Sequence, residues 1–185
     1  MLVFSDLRVV DNDLNVLDDS LFKRSNLDPT RVRPRQLAFQ NVANGNAMLF
    51  NAALREKAKP IPGAAFMHDH WMMLVASVFG HIACLNGATV LYRQHDRNVL
   101  GGPSVGFRYY LMRFNQGYRI LRTRLYANVR QVEAFVSRFG DASPQCFKAL
   151  VGIDKKPWML RVWILLRHRI FKTGFWRNLG TLAII

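Results

Sequence analysis

A helical repeat of apolar residues runs through the second half of this chain. From Phe107 to Phe139, apolar side chains recur every three or four residues, which places them on one face of a helix. A strand alternates its side chains with a period of two, so this repeat does not suit a strand. The segment from Asp141 to Pro144 ends the pattern, and Pro157 is suited to the first turn of a further helical block. The second half is therefore predicted to be helical.

The first half of the chain has strand patterns interrupted by turns. An apolar run through Ser5 and Asp6, turn residues at Asp11 and a further apolar run from Leu14 predict strand, turn and strand. The run from Ala47 to Phe50 predicts a buried strand. The fold class expected from these patterns is α/β, followed by a helical region.

Two further patterns complete the first half. Residues from His68 to Phe79 have apolar side chains at helical spacing, and Gly80 is a typical helix end. Two apolar runs flank Asn86 and Gly87. Because Asn-Gly is favoured in two-residue turns between strands, this segment predicts a β-hairpin.

Positive charge is concentrated in the helical half. The chain has 26 Lys and Arg against 12 Asp and Glu, a net charge of +14, and after Leu100 its acidic residues are Glu133, Asp141 and Asp154. Such an excess predicts an anionic partner. Nucleic acid is not expected, because no nucleic-acid-binding motif is present, and lipid is favoured. No unbroken apolar run approaches the about 20 residues that span a bilayer, so the chain is not expected to cross a membrane. Cys84 and Cys146, without paired spacing, favour reduced thiols and a cytoplasmic protein.

The segment from Pro157 to Ile185 interleaves tryptophan with arginine. Trp158, Trp163 and Trp176 lie among cationic residues within this short block. Tryptophan favours the headgroup boundary of a bilayer, and arginine can reach lipid phosphates. We therefore expect an interfacial helix that attaches the protein to the inner face of the cell membrane. The alternative is a helix packed on the rest of the chain with a solvated basic face.

The first candidate functional stretch surrounds Asp69. This carboxylate stands at the start of an apolar helix, between His68 and His70 and before Trp71. It suits a general base at the edge of a cleft, or alternatively a helix N-cap. Two histidines without a third ligand are a weak metal signal. Trp71 suits either the wall of a substrate site or the core.

Two other stretches carry polar residues beside predicted strands. Arg93 and His95 lie on the same side of a strand by its period of two, which suits a phosphate or a phosphate-bound metal. The alternative is a solvated strand end. Gly45 lies between Asn44 and Asn46 before a strand, and glycine allows a ligand to approach the backbone closely. A plain turn explains this stretch equally well.

Together the stretches resemble the catalytic half of family 2 glycosyltransferases of the GT-A fold, particularly bacterial rhamnosyltransferase-like members. The resemblance covers roughly the first hundred residues and depends on the order of the motifs, since no single motif is specific. The matched segments are Phe4-Ser5-Asp6, Val10-Asp11, Asn41, Gly45, Met48 to Asn51, Pro60-Ile61-Pro62, His68-Asp69 with Trp71, Tyr92 to His95, and Asn98-Val99.

The resemblance implies inverting sugar transfer from a nucleotide-sugar donor to a glycan or lipid-linked acceptor, in cell-surface polysaccharide synthesis. It makes Asp69 the catalytic base and His95 a contact to the metal or the diphosphate. The implied cofactor is a divalent cation, Mg²⁺ or Mn²⁺. The residues expected to bind substrate are Asn44, Gly45, Asn46, His68, Trp71 and Arg93.

The family also has a nucleotide-binding half and an acidic metal motif upstream of the strand that matches Ser5 and Asp6, and neither is found in this chain. The resemblance therefore implies an incomplete, Rossmann-like GT-A domain, the acceptor part, at residues 1–102. A basic helical region follows at 103–185. Such a fragment is expected to be inactive alone. The alternative function is a non-catalytic basic helical module that binds an anionic membrane surface.

Overall fold

The computed structural model describes residues 1–94 and 114–185 of a mixed α/β protein. Its strands are β1 (Leu2–Val10), β2 (Val16–Asp18), β3 (Met48–Phe50) and β4 (Ile82–Arg93). Its helices are α1 (Leu21–Arg24), α2 (Pro34–Leu37), α3 (Ala52–Ala58), α4 (His68–Phe79), α5 (Phe114–Phe139), α6 (Gln145–Lys148), α7 (Trp158–Arg167) and α8 (Phe175–Ile184).

Strand β1 is the centre of a small mixed sheet. β4 runs parallel to it, from the pair of Leu2 and Ile82 to the pair of Val10 and Arg93. β3 pairs antiparallel with the first residues of β1, and β2 pairs antiparallel with the last ones. The strand, turn and strand predicted at the start of the chain are confirmed as β1 and β2. The carboxyl ends of β1 and β4 meet at one end of the sheet.

The hairpin predicted at Asn86 and Gly87 is wrong. The two apolar runs form one strand, β4, and both pair with β1. The register shifts between Phe4 and Leu7, where β4 contains extra residues, and Gly87 there has φ +88°. This is a bulge, in which glycine accepts the positive φ. A distant parallel neighbour supplies the hydrogen-bond partners, and local sequence does not reveal it.

The strand predicted from Ala47 to Phe50 is present as β3, but its predicted burial is wrong. Ala47 is buried, whereas Leu49 is 76% exposed and Phe50 is 38% exposed. β3 is three residues long and pairs with only the start of β1. A short strand at the margin of a sheet receives little cover on its faces, so apolar composition does not bury it.

The helical half shares one core with the sheet and α4. Trp71 of α4 is fully buried, and its ring centroid lies 5.8 Å from that of Phe135 and 6.3 Å from that of Phe139 on α5. The apolar repeat predicted for this helix is confirmed from Phe114 onward, and its earlier part lies outside the described residues. The predicted boundary between residues 102 and 103 also lies outside them. The basic helix α5 therefore covers α4 within the same core.

The C-terminal segment forms two helices instead of one. α7 ends at Arg167, Arg169 has φ +51° and Gly174 has φ +93° before α8 begins. Left-handed backbone at these two residues interrupts the helical hydrogen-bond pattern. Within residues 1–94 and 114–185, no helix combines the length and the apolar character needed to cross a bilayer.

Candidate active site

The carboxylate of Asp69 is held in the first turn of α4. One oxygen, Oδ1, accepts a hydrogen bond from the backbone N–H of His70 at 2.6 Å, and Oδ2 accepts one from the backbone N–H of Gly45 at 3.1 Å. The residue is 4% exposed. The N-cap of α4 is Met67, so the cap alternative does not describe the geometry of Asp69. Its carboxylate instead joins the helix to the 3₁₀ turn Gly45–Ala47.

Gly45 packs closely against the first turn of α4. A methyl group on its α-carbon would lie 2.9 Å from Nε2 of His68 and 3.3 Å from Cβ of Asp69. The neighbour that approaches this glycine is therefore α4, whereas the sequence predicted a ligand there. Asn44, half-buried, and Asn46, exposed, flank the glycine, and His68 is exposed. Two stretches that are far apart in sequence are thus in direct contact.

The stretch at the end of β4 lies beside the same turn. Ala47 packs in a small apolar cluster with residues of β1, and Val90 and Tyr92 of β4 pack against that cluster. Arg93 is exposed and pairs with Val10 at the end of β1. In open α/β sheets, ligands usually bind outside the carboxyl ends of parallel strands. The structure thus joins Gly45 to Asp69, and it packs Ala47 of the same turn near Val90 and Tyr92 of β4.

His95, the predicted contact to the metal or the diphosphate, lies outside the described residues. Within residues 1–94 and 114–185, no three His, Cys, Asp or Glu side chains come together as a metal site requires. The described residues therefore supply no three-ligand group for the implied Mg²⁺ or Mn²⁺.

Trp71 belongs to the core and not to the wall of a cleft. The residue is 0% exposed, and its indole N–H donates to the carbonyl of Ala58 at 3.0 Å. The substrate-binding role expected for Trp71 is therefore wrong, because the ring has no exposed surface to offer a sugar. The core alternative is the one observed.

His70 is also directed inward. Its Nε2 lies 2.5 Å from the carbonyl oxygen of Leu37. Burial lowers the pKa of His70 below its usual 6.5, although the Leu37 carbonyl and the Asp69 carboxylate oppose the shift. The neutral ring carries its proton on Nε2, since only an N–H can donate to the carbonyl. His68 and His70 thus point to different environments and do not act as a metal-binding pair.

Asp6, in the strand matched to the family, has a structural role. Its carboxylate accepts hydrogen bonds from the backbone N–H groups of Leu7 at 2.8 Å and Phe22 at 3.1 Å, and from the hydroxyl of Ser20. These bonds fix the start of α1 against β1. The available sequence signal was Ser20, a typical N-cap residue before an apolar turn.

Gln131 of α5 was not singled out from the sequence, yet it supports the start of α4. It is fully buried, and its Oε1 accepts from the backbone N–H of Met67 at 3.4 Å. Its Nε2 has no hydrogen-bond partner among the residues that the structure describes. In the sequence, the feature that could have singled out Gln131 is a polar amide side chain on the apolar face of the predicted helix. Through it, the basic helix reaches the residue that precedes His68.

A shallow groove also follows the exposed face of α5, in the half of this helix nearer its start. It encloses about 480 Å³. Its lining residues are Tyr118, Arg119, Arg122, Thr123, Tyr126 and Arg130. The sequence located these arginines on a predicted basic helix, but their gathering with two tyrosines along one groove became visible only in the structure.

No protein-family model, curated protein or solved structure matches this chain significantly. The resemblance to family 2 glycosyltransferases therefore remains a prediction from the ordered motifs. What the structure establishes is a mixed α/β fold with a small mixed sheet, in which Gly45 contacts the first turn of α4.

Proposed function

We propose that this chain is the acceptor part of an inverting, GT-A-type glycosyltransferase that resembles family 2. The main support is the contact of Gly45 with His68 and Asp69 at the first turn of α4. These residues come from motifs that were matched separately, and a shared site is what a catalytic constellation requires. The donor is a nucleotide sugar, and the acceptor is a hydroxyl of a glycan or a lipid-linked glycan.

Asp69 is the proposed general base. It takes the proton of the acceptor hydroxyl while the hydroxyl oxygen forms a bond to the anomeric carbon of the donor sugar. The bond from that carbon to the diphosphate oxygen breaks, its electron pair leaves with the nucleoside diphosphate, and the anomeric configuration inverts. The backbone N–H groups of Gly45 and His70 fix the orientation of the carboxylate, which reduces the reorganisation needed for proton transfer.

His68 and Arg93 are proposed to serve the substrates. Because Asp69 is only 4% exposed, an acceptor reaches it when the exposed imidazole of His68 moves away from Gly45. The guanidinium of Arg93, at the end of β4, is placed to meet the charge of the diphosphate. His95, two residues later in the sequence, stays a prediction for the same role.

Replacement of Asp69 by Asn tests this proposal. Transfer from a panel of nucleotide sugars would be measured with the chain alone and with the chain joined to the nucleotide-binding half of a family 2 glycosyltransferase. In the form that shows transfer, Asp69→Asn is expected to lower turnover by at least about 100-fold, the scale of a lost general base. Thermal unfolding of the same variant would show whether the fold is kept.

Two glycine variants provide a matched test of the contact between Gly45 and the first turn of α4. Gly45→Ala is expected to lower turnover because its methyl group would lie 3.3 Å from Cβ of Asp69 and shift the carboxylate, whereas Gly63→Ala meets no atom within 4 Å and should leave turnover unchanged. Wild-type turnover in Asp69→Asn would remove this residue from catalysis. A large fall in the unfolding temperature of Asp69→Asn would instead assign its carboxylate to holding the Gly45 turn on α4.

A further inference from the structure

Helices α7 and α8 expose large apolar side chains. Met159 is 76% exposed and Trp176 is 79% exposed. We use the term apolar surface for the set Trp158, Met159, Trp163, Leu166, Phe175 and Trp176. Single exposed apolar residues are ordinary, but a group of this size on two neighbouring helices marks a binding surface.

The two helices are anchored mainly by residues outside the apolar surface. Ile164 and Leu165 of α7 are buried in the common core, and so is Ile170 just after this helix. Within the apolar surface, the indole N–H of Trp158 donates to the carbonyl of Leu182 at 3.0 Å and joins α7 to α8. The other side chains of the apolar surface contribute little to the fold, and their exposure needs a different explanation.

Some of the cations predicted to reach lipid bind the chain itself. Arg161 donates to the hydroxyl of Tyr126 at 2.8 Å and to backbone carbonyls, and Arg177 donates to two carbonyls just after α1 at 2.6 and 2.8 Å. Arg167 and Arg169 are exposed beside the apolar surface. Fewer C-terminal charges are thus available to an external anion than the sequence indicated.

The groove on α5 supplies positive charge nearby. The bond between Arg161 and Tyr126 connects α7 to the wall of this groove, which also contains Arg119 and Arg122. In the sequence, Asp154 is the only acidic residue after Asp141. The apolar surface therefore adjoins a cationic region.

We propose that α7 and α8 dock on an anionic lipid bilayer, with the apolar surface entering the boundary between headgroups and acyl chains. Tryptophan suits this boundary because its ring is apolar and its N–H is polar. The groove arginines meet lipid phosphates from outside the boundary. Since Arg161 and Arg177 are bound internally, apolar contact supplies the larger share of binding. This docking goes beyond sugar transfer and does not depend on Asp69.

Charge favours a bilayer over a second copy of the chain as the occupant. Each copy carries a net charge of +14, so two copies repel each other, whereas anionic lipid attracts both. Tryptophan emission reports the insertion directly. The chain has four Trp, and Trp71 is the buried one, while Trp158, Trp163 and Trp176 belong to the apolar surface.

Vesicle binding by the full chain tests the proposal. With vesicles of phosphatidylcholine and phosphatidylglycerol in equal amounts, we expect co-sedimentation and a blue shift of tryptophan emission. Lipids brominated near the headgroup should quench that emission. Replacing Phe175 and Trp176 together by Ser should weaken binding by at least about tenfold, since both side chains would be buried in the boundary.

A control variant of equal exposure is Leu49→Ser on β3, where Leu49 is 76% exposed. It should bind vesicles as the unchanged chain does. Point variants are preferable to cutting the chain before Pro157, because the cut would also remove Ile164 and Leu165 from the core.

Three results would overturn the proposal. The first is an absence of binding to anionic vesicles. The second is unchanged binding by the Phe175→Ser and Trp176→Ser double variant, with complete release by salt, which would assign the attachment to charge alone. The third is a dimer in sedimentation equilibrium that this double variant abolishes, without vesicle binding, which would make a second copy the occupant.

Discussion

Helices α4 and α8 have similarly apolar sequences but opposite positions in the molecule. α4 buries every residue from Asp69 to Ala76, whereas the buried residue within α8 is Thr181. Phe135 and Phe139 of α5 cover α4 through ring contacts with Trp71. Phe175 and Trp176 of α8 contact each other and face outward. Burial of an apolar helix therefore depends on the presence of a covering partner as well as on its own composition.

The largest difference in the free energy of unfolding is expected when tryptophan is replaced by alanine at Trp71 and, separately, at Trp176. Trp71→Ala should lower the free energy of unfolding by about 3–5 kcal/mol, because it leaves a cavity against Phe135 and removes one of the two hydrogen bonds to the Ala58 carbonyl. Trp176→Ala should change it by less than about 0.5 kcal/mol, since the ring is already in water. Urea unfolding of both variants would check this. Equal losses would show that α8 is covered in solution.

A smaller effect is expected at Arg138, which holds the covering helix in place. Its guanidinium donates to the carbonyls of Ala58 at 3.0 Å and Lys57 at 3.0 Å, and also to those of Lys59 and Pro60. Arg138→Ala should lower the free energy of unfolding by about 1–2 kcal/mol, the scale of charge-assisted hydrogen bonds at a partly exposed position.

The control for Arg138 is a lysine in its place. Arg138→Lys keeps the charge but loses the planar donors that reach several carbonyls at once, so it should recover only part of the lost stability. Full recovery by lysine would show that charge at the end of α3, and not the shape of the guanidinium, ties α5 to the first half of the chain.

The effect expected at His70 is smaller near neutral pH and grows as the pH falls. Its pKa is lowered in the folded state by burial, so below about pH 6.5 the unfolded chain binds a proton that the folded chain excludes. The contribution of this group is complete above about pH 6.5 and is lost below it, with a slope of at most about 1.4 kcal/mol per pH unit.

Urea unfolding at several pH values would measure this slope. His70→Gln should remove it, because an amide does not titrate in this range. His68→Gln, at the exposed neighbour on the same helix turn, should keep it. The same pH dependence in the wild-type chain and in His70→Gln would mean that other groups cause the acid loss of stability.

Local patterns in the sequence predicted most elements but not their partners. The repeat ending at Phe139, the helix from His68 to Phe79 and the strand and turn around Asp11 are confirmed, since period and turn residues act within a few positions. The hairpin at Asn86 was wrong because β4 pairs with a strand about 80 residues earlier in the chain. Such pairing leaves no trace in a short sequence window.

The sequence likewise predicted the residues of the candidate site but not their contacts. Motif order selected Gly45, Asp69 and Arg93, and the sequence alone named the chemistry that a carboxylate and a guanidinium offer. It did not indicate that Gly45 lies against His68, because that contact joins segments more than 20 residues apart. It left Trp71 open between the wall of a substrate site and the core, and the structure places it in the core.

The sequence by itself determined the helical second half, its positive charge, its break from Asp141 to Pro144 and the residue types available for chemistry. The tertiary structure decided which apolar faces are covered, where α7 and α8 separate, which arginines are bound to the chain's own carbonyls and which polar groups meet at the first turn of α4. The physical reason is the separation along the chain over which each kind of interaction acts. Backbone preference and side-chain period act between neighbours in sequence, whereas burial and hydrogen bonding depend on segments that only the folded chain brings together.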